Sequence, residues 1–252
     1  MIAAAIAASV SWAHCAQVPA EVVCEGQYPA HLQGIAGNGV DTLYWSFTTT
    51  LVKTDLDGQI LATVEVPYHH GDLCLVGDRL YVAWSNQFNR PGANSHVYVY
   101  DADDLTLLER VPVPEVTFGA GGLDAHDGRF FVIGGLPKGH AVNYVYEYTA
   151  DFEHVATHVI TSGYTNLGIQ TACCHNGAWW FGCYTVEGQK GLLKTDLEFN
   201  LLGIYDVSPA IGLVGWGEGR FLMAVHFGEQ YRAKAVPMVA DDERGLVRFA
   251  AD

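Results

Sequence analysis

Positive charge is what this sequence has least of. It carries 13 Lys and Arg against 28 Asp and Glu, a formal net charge of −15. Attraction to nucleic acid or to an anionic membrane surface needs a positive field. No Lys- or Arg-rich run supplies one locally, so neither is an expected partner. Long apolar runs are also missing: none reaches the roughly 20 residues of a membrane-spanning helix, so no membrane span is expected. No segment keeps a helical period over several turns. Several catalytic and nucleotide motifs are absent: GxSxG, the P-loop, HExxH, and a GxGxxG between strand and helix. No nucleotide cofactor is therefore expected. The six cysteines, Cys15, Cys24, Cys74, Cys173, Cys174 and Cys183, form no CxxC pair and no other zinc-like spacing.

Half of the residues are apolar, enough to bury a substantial core in 252 residues. Gly is abundant at 28, which suits many tight turns. Residues 1–16 read as a short apolar run ending in small residues, like a signal peptide. That predicts a secreted or periplasmic protein, although the first cation is Lys53 and His14 and Cys15 interrupt the cleavage pattern. An exported chain allows one or two disulfides. Cys74, Cys173 and Cys183 lie in apolar strand-like segments, where a cysteine is usually a small buried residue. Adjacent Cys173 and Cys174 would point to opposite faces of a strand.

The decisive pattern is a repeat. Five aromatic-rich runs begin at Leu43, Leu80, Phe130, Trp179 and Phe221, at separations of 37, 50, 49 and 42 residues. Turn dipeptides precede four of them: Gly77-Asp78, Asp127-Gly128, Asn176-Gly177 and Glu218-Gly219. A short apolar segment lies upstream of each turn, and two further strand-like segments lie downstream. The third segments of two units, LVKTDLDG from Leu51 and LLKTDLEF from Leu192, are nearly identical. Asp55, Asp101 and Asp196 recur at the ends of third strands, where turn-stabilising hydrogen bonds are the expected role.

Four short strands per unit and five units of 40 to 50 residues resemble a β-propeller. The resemblance implies an all-β, five-bladed ring with four antiparallel strands per blade. It makes residues 17–252 a single domain with blades at about 30–67, 68–114, 115–162, 163–208 and 209–252. A β-sandwich of repeated hairpins is the competing arrangement. Residues from Glu21 to Tyr28 would pair with the last blade and close the ring.

The resemblance to propellers also implies that first strands line the axis and that one face carries the ligand. His31, His69 and His70 then open first strands on that face, and His96, His140 and His226 rim it. His126 and His175 fall on the opposite face, and His154 and His158 on an outer strand. Imidazoles converging on a channel mouth suit a divalent metal such as Mn, Fe, Zn or Cu. The metal set is His31, His69, His70 and His226, with His70 and His31 as catalytic candidates. This is similar in residue type to the His/Gln metal sites of some propeller pectin lyases. Of His69 and His70, strand geometry sends only one inward.

The segment from Trp84 to His96 is the longest insertion on that face. Trp84 and Phe88 beside Asn86, and with Arg90, suit a sugar, which offers apolar faces edged by hydroxyls. Gln33, Asp72, His140 and Gln170 complete the expected substrate contacts. Lys138 or Arg90 would neutralise an acidic group. The expected function is binding of a small-molecule or saccharide ligand. A metal-dependent lyase or hydrolase and a protein-interaction scaffold are the alternatives. Trp45, Trp179 and Trp180 are expected to pack the blades.

Overall fold

The computed structural model describes residues 17–186 and 189–249. The signal-like segment 1–16, with Cys15, lies outside them. Every regular element among the described residues is a strand. After β1 (Val22–Val23), blade one is β2 (Leu32–Gly37), β3 (Thr42–Phe47), β4 (Thr50–Asp55) and β5 (Ile60–Glu65). Blade two is β6 (His70–Val76), β7 (Arg79–Asn86), β8 (Asn94–Asp101) and β9 (Leu107–Pro112). Blade three is β10 (Ala120–His126), β11 (Arg129–Gly134), β12 (Asn143–Tyr148) and β13 (His154–Ile160). Blade four is β14 (Asn166–His175), β15 (Ala178–Tyr184), β16 (Leu192–Thr195) and β17 (Leu201–Tyr205). Blade five is β18 (Leu213–Gly215), β19 (Arg220–Phe227), β20 (Arg232–Asp241) and β21 (Gly245–Arg248).

All pairings are antiparallel between sequence neighbours, with one exception that matters. Strand β1 pairs with β20, Val22 opposite Ala235 and Val23 opposite Lys234. The N-terminal strand therefore joins the last blade, and the chain is a closed five-bladed β-propeller. The first strands touch in a ring, β2 to β6 to β10 to β14 to β18 and back to β2. Five separate apolar clusters fill the wedges between neighbouring blades. Trp45, Trp179 and Trp216 are fully buried in them. Blades in such a ring cannot slide apart without opening a core wedge, and each apolar cluster depends on two blades at once.

The turns follow from the residues read in the sequence. Asp127-Gly128 and Asn176-Gly177 both adopt positive φ at both positions, at 47° and 71° and at 51° and 71°. This is the geometry a two-residue hairpin with right-handed strand twist requires. Asp55 accepts the backbone N–H of Gln59, Asp101 that of Asp103, and Asp196 those of Glu198 and Asn200. Asp241 does the same in blade five for Glu243 and Arg244, a member the repeat pattern missed. The described cysteines are all unbridged. Burial pushes the thiols of Cys24, Cys174 and Cys183 up to about 12, which leaves little thiolate to react.

Glycine sets the ring diameter. A Cβ at Gly34 would collide with the Asp72 carboxylate and lie 2.5 Å from the Asp72 Cα. One at Gly71 would collide with the Gly121 carbonyl, and one at Gly122 would lie 2.7 Å from the Asp72 Cβ and from the Gln170 carbonyl oxygen. Gly34→Ala should therefore cost about 3 kcal/mol, the upper end for overpacking, because backbone must move. Equilibrium unfolding in denaturant measures this. An unchanged midpoint would mean that the axis has slack.

Candidate functional site

The two ends of the axis differ. On the hairpin face, a cavity of about 160 Å³ opens between the first strands, lined by Cys74, Asp124, Cys173, Cys174 and His175 among others. Asp124 is half-buried there and accepts the N–H groups of Cys174 at 2.7 Å and Ala125 at 2.8 Å. Burial raises its carboxyl to about 6 against those hydrogen bonds. Deeper in, Asp72 blocks the axis. Its Oδ2 accepts the Ala172 N–H of blade four at 3.0 Å, while its side chain lies against Gly34 of blade one and Gly122 of blade three. Asp72 Oδ1 has no partner. Burial pushes this carboxyl well above the usual range, and the side chain sits as a plug between first strands of blades one, three and four.

Gln33 and Gln170 are likewise buried near the axis. Gln33 donates to the Thr48 hydroxyl at 3.4 Å, and Gln170 to the Leu167 carbonyl at 2.9 Å. Both amides are engaged by the protein.

The two adjacent histidines part as strand geometry requires. His70 is fully buried in blade two. Its Nδ1 meets the Pro67 carbonyl at 2.8 Å and its Nε2 meets the Tyr100 hydroxyl at 2.7 Å. The imidazole that satisfies both is neutral, with Nδ1–H donating to Pro67 and Nε2 accepting from Tyr100. Burial lowers His70 to about 4. A ring held at both nitrogens is not available to a metal or a substrate proton. His69 takes the opposite direction, because its backbone turns into the left-handed region at φ 77°. The N–H groups of both residues donate to the Thr48 carbonyl of blade one, at 3.0 and 3.2 Å.

His31 and His226 reach the same face as His69. His226 receives the Leu32 N–H at 3.3 Å on Nε2, and its Nδ1 lies 3.3 Å from the Arg232 carbonyl. Tyr231 stands between them, its ring 6.1 Å from that of His31 and 5.7 Å from that of His226. Burial lowers the pKa of all three, and for His31 the neighbouring His226 and His69 lower it further. Among the described residues no three His, Cys, Asp or Glu side chains form a group able to hold a metal ion. The four-histidine set of the sequence is thus split, with His70 inside the blade and His226 tied to backbone. His140 packs edge-on against Phe118 at 4.8 Å.

A larger space than the axial cavity lies off the axis on this face. A pocket of about 450 Å³ lies under the 84–96 loop, lined by Tyr68, His69, Leu167 and every residue from Trp84 to Arg90. The loop is held in place by blade three. Phe88 covers Gly119 and Gly121, where a Cβ would come within 3.2 Å of its ring or backbone. Asn89 donates its N–H to the Phe118 carbonyl at 2.7 Å, and the Trp84 indole donates to the Tyr68 carbonyl at 2.8 Å. Three buried polar atoms in the lining have no partner: His69 Nδ1, Ser85 Oγ and Asn89 Oδ1. Four non-glycine residues of the lining have positive φ: His69, Gln87, Asn89 and Leu167, at 77°, 62°, 62° and 61°. Left-handed backbone and unpaired buried polar atoms both carry a cost, and such costs gather where a site is built.

Trp84, Asn86, Phe88 and Arg90 are therefore brought together as the sequence suggested, with His69 in place of His70. Tyr68, Ser85 and Leu167 were missed. Tyr68 directly precedes the histidine pair, and Ser85 continues the Trp84 strand, so adjacency was the available signal for both. Leu167 comes from blade four and carried none.

No family model matches this chain, and no curated protein matches it in sequence. Solved structures do resemble it. The Dos1 propeller shares 11% identity at a TM-score of 0.47, over 90% of this chain. This chain spans 63% of that one. A protein of unknown function from Bacteroides caccae shares 10% identity at a TM-score of 0.45, over 78% of this chain and 98% of its own. BamB from Moraxella catarrhalis shares 13% identity at a TM-score of 0.40, over 91% of this chain and 73% of its own. At these values the likeness carries nothing about ligand or location.

The buried imidazole of His70 predicts an acid-sensitive fold. Its folded pKa of about 4 lies below the 6.5 of a free histidine. Its contribution to stability is full above pH 6.5 and is lost as pH falls toward 4, by about 2 kcal/mol between pH 7 and pH 5. Asp72 and Asp124, whose carboxyls are raised, act in the opposite sense. Comparing wild type with His70→Gln cancels them. The wild type should lose about 2 kcal/mol more than the variant between the two pH values, and equal losses would contradict the assignment.

Proposed function

We propose that this propeller binds a small polar ligand of the saccharide class in the pocket under the 84–96 loop. One observation carries the reading. Aromatic rings and residues carrying unpaired polar atoms line the same space: Tyr68, Trp84 and Phe88 beside His69, Ser85 and Asn89, whose Nδ1, Oγ and Oδ1 lie buried just beneath its surface. A sugar presents C–H faces to the rings and hydroxyls, both donor and acceptor, to the polar side chains of the lining. A volume of about 450 Å³ falls within the usual range for small-ligand pockets. Asn86 and Gln87 add amide groups at the exposed side. The site is off the axis, because Asp72 fills the centre.

Binding rather than chemistry is the reading. The metal-dependent lyase or hydrolase needs a ligand group that the described histidines do not form, and His70 has both nitrogens occupied. The scaffold reading draws on exposed aliphatics at matching outer-strand positions, Leu61, Leu108, Val155 and Leu202. These stand on four different blades and make no single patch of the kind that marks an interface. Export rests on the composition of residues 1–16. Among the described residues no helix is long and apolar enough to cross a membrane.

Titration calorimetry against a panel of neutral and acidic oligosaccharides tests the reading. Tyr68 is 70% exposed, so Tyr68→Ala should leave the melting temperature unchanged. It should weaken the best ligand about tenfold, the worth of one stacked aromatic face. Absence of any saccharide binding, or binding indifferent to Tyr68→Ala, would refute it.

A further inference from the structure

The cations of this chain are almost all spoken for. Lys53, Arg129, Lys234, Arg244 and Arg248 form ion pairs with acidic side chains. Lys190 donates to the Ile204 carbonyl, and Arg79 is hydrogen-bonded to Tyr81. Arg110, Lys194, Arg220 and Arg232 lie over aromatic rings. Two remain, and among the described residues neither has a partner: Arg90 and Lys138. In a chain with 28 carboxylates and 13 cations, a cation left unpaired by chance would be expected on any surface. Both of these stand on the ligand face, in the second-to-third-strand loops of neighbouring blades two and three.

The two loops are in contact. A Cβ at Gly135 would lie 2.8 Å from the Asn89 Cα, so glycine lets the blade-three loop seat directly against the residue before Arg90. Arg90 itself lines the pocket, is exposed, and is the only permanently charged residue there; the lining holds no Asp or Glu. Lys138 is exposed at the tip of the adjoining loop. The whole-molecule field repels anions. An anionic ligand would therefore have to be held by short-range contact, which is what an unpaired guanidinium offers. Its planar fork matches a carboxylate with two parallel hydrogen bonds.

We propose that the ligand is an acidic saccharide of the uronate type, its carboxylate held by Arg90 and approached by Lys138. The proposal rests on the saccharide reading of the pocket. It adds a charge selectivity that the aromatic and amide groups alone would not give.

The test compares one tetrasaccharide of alternating glucuronate and N-acetylglucosamine with its carboxyl-reduced form, by titration calorimetry on the whole chain. Wild type should bind the acidic form at least about tenfold more tightly, the worth of one charged hydrogen-bonding pair. Arg90→Gln should abolish that preference, and Lys138→Gln should reduce it about threefold. Arg244→Gln, which removes a cation paired to Asp241, should keep it, and melting temperatures should report all three variants folded. Equal binding of both forms by wild type would overturn the carboxylate assignment and leave the saccharide reading standing. So would a preference that survives Arg90→Gln, or tighter binding of a sulfated tetrasaccharide. Binding of none of them would overturn both.

Discussion

The structure depends on the crowding of five first strands around one axis. Gly34, Gly71 and Gly122 have no room for a Cβ: at Gly71 it would strike backbone alone, and at Gly34 and Gly122 both backbone and the Asp72 side chain. The strands can approach this closely because nothing but hydrogen projects between them. What little space is left is filled by Asp72, which spans from blade two to the Ala172 N–H of blade four. A carboxyl buried there with one oxygen unpaired is costly. The closed ring and its five interblade cores offset it. With Asp72 at the centre, the space of about 450 Å³ lies off the axis, under the loop that extends above blade two, and a further space of about 330 Å³ lies between the hairpins of blades two and three on the opposite face.

The pocket follows from that displacement. The second-to-third-strand loop of blade two is long enough to lean over blade three, and Gly119 and Gly121 leave a flat surface for Phe88. Gln87 and Asn89, on either side of Phe88, take left-handed backbone. The turn at His69, fixed by two N–H bonds to the Thr48 carbonyl, supplies the facing side. The same glycine chemistry that narrows the axis thus also docks the loop that makes the site.

Much of this was legible in the sequence. The near-identity of the segments at Leu51 and Leu192, the spacing of the aromatic runs and the Asp-Gly and Asn-Gly turns carried the five-bladed ring, because each is a local property repeated. The closing strand at Val22 was legible from its place before blade one; it adds a fifth strand to blade five, sharing the edge of β20 with the short β21. The 84–96 loop was also legible as the longest insertion on its face, and a pocket lies under it. What could not be read was which side chain faces the pocket. His69 and His70 differ by one residue, and the sequence offers no sign that His69 takes positive φ while His70 turns to Tyr100. Asp72, Gln33 and Gln170 were expected as ligand contacts from their place in first strands. Asp72 lies against Gly34 and Gly122 while the two amides meet Thr48 and Leu167, and such neighbours are visible only in the folded chain. The entry of Leu167 into the pocket from blade four is visible only there too.

The central claim is that ligand binding occurs at the off-axis pocket while the axis stays closed. Hydrogen–deuterium exchange on the full chain, with and without the saccharide that binds best, tests it most directly. The account predicts slowed exchange confined to residues 67–70 and 84–96, with residues 172–175 and 213–215 at the far end of the axis unchanged. Protection at 172–175 and 213–215, with the 84–96 loop unaffected, would contradict it.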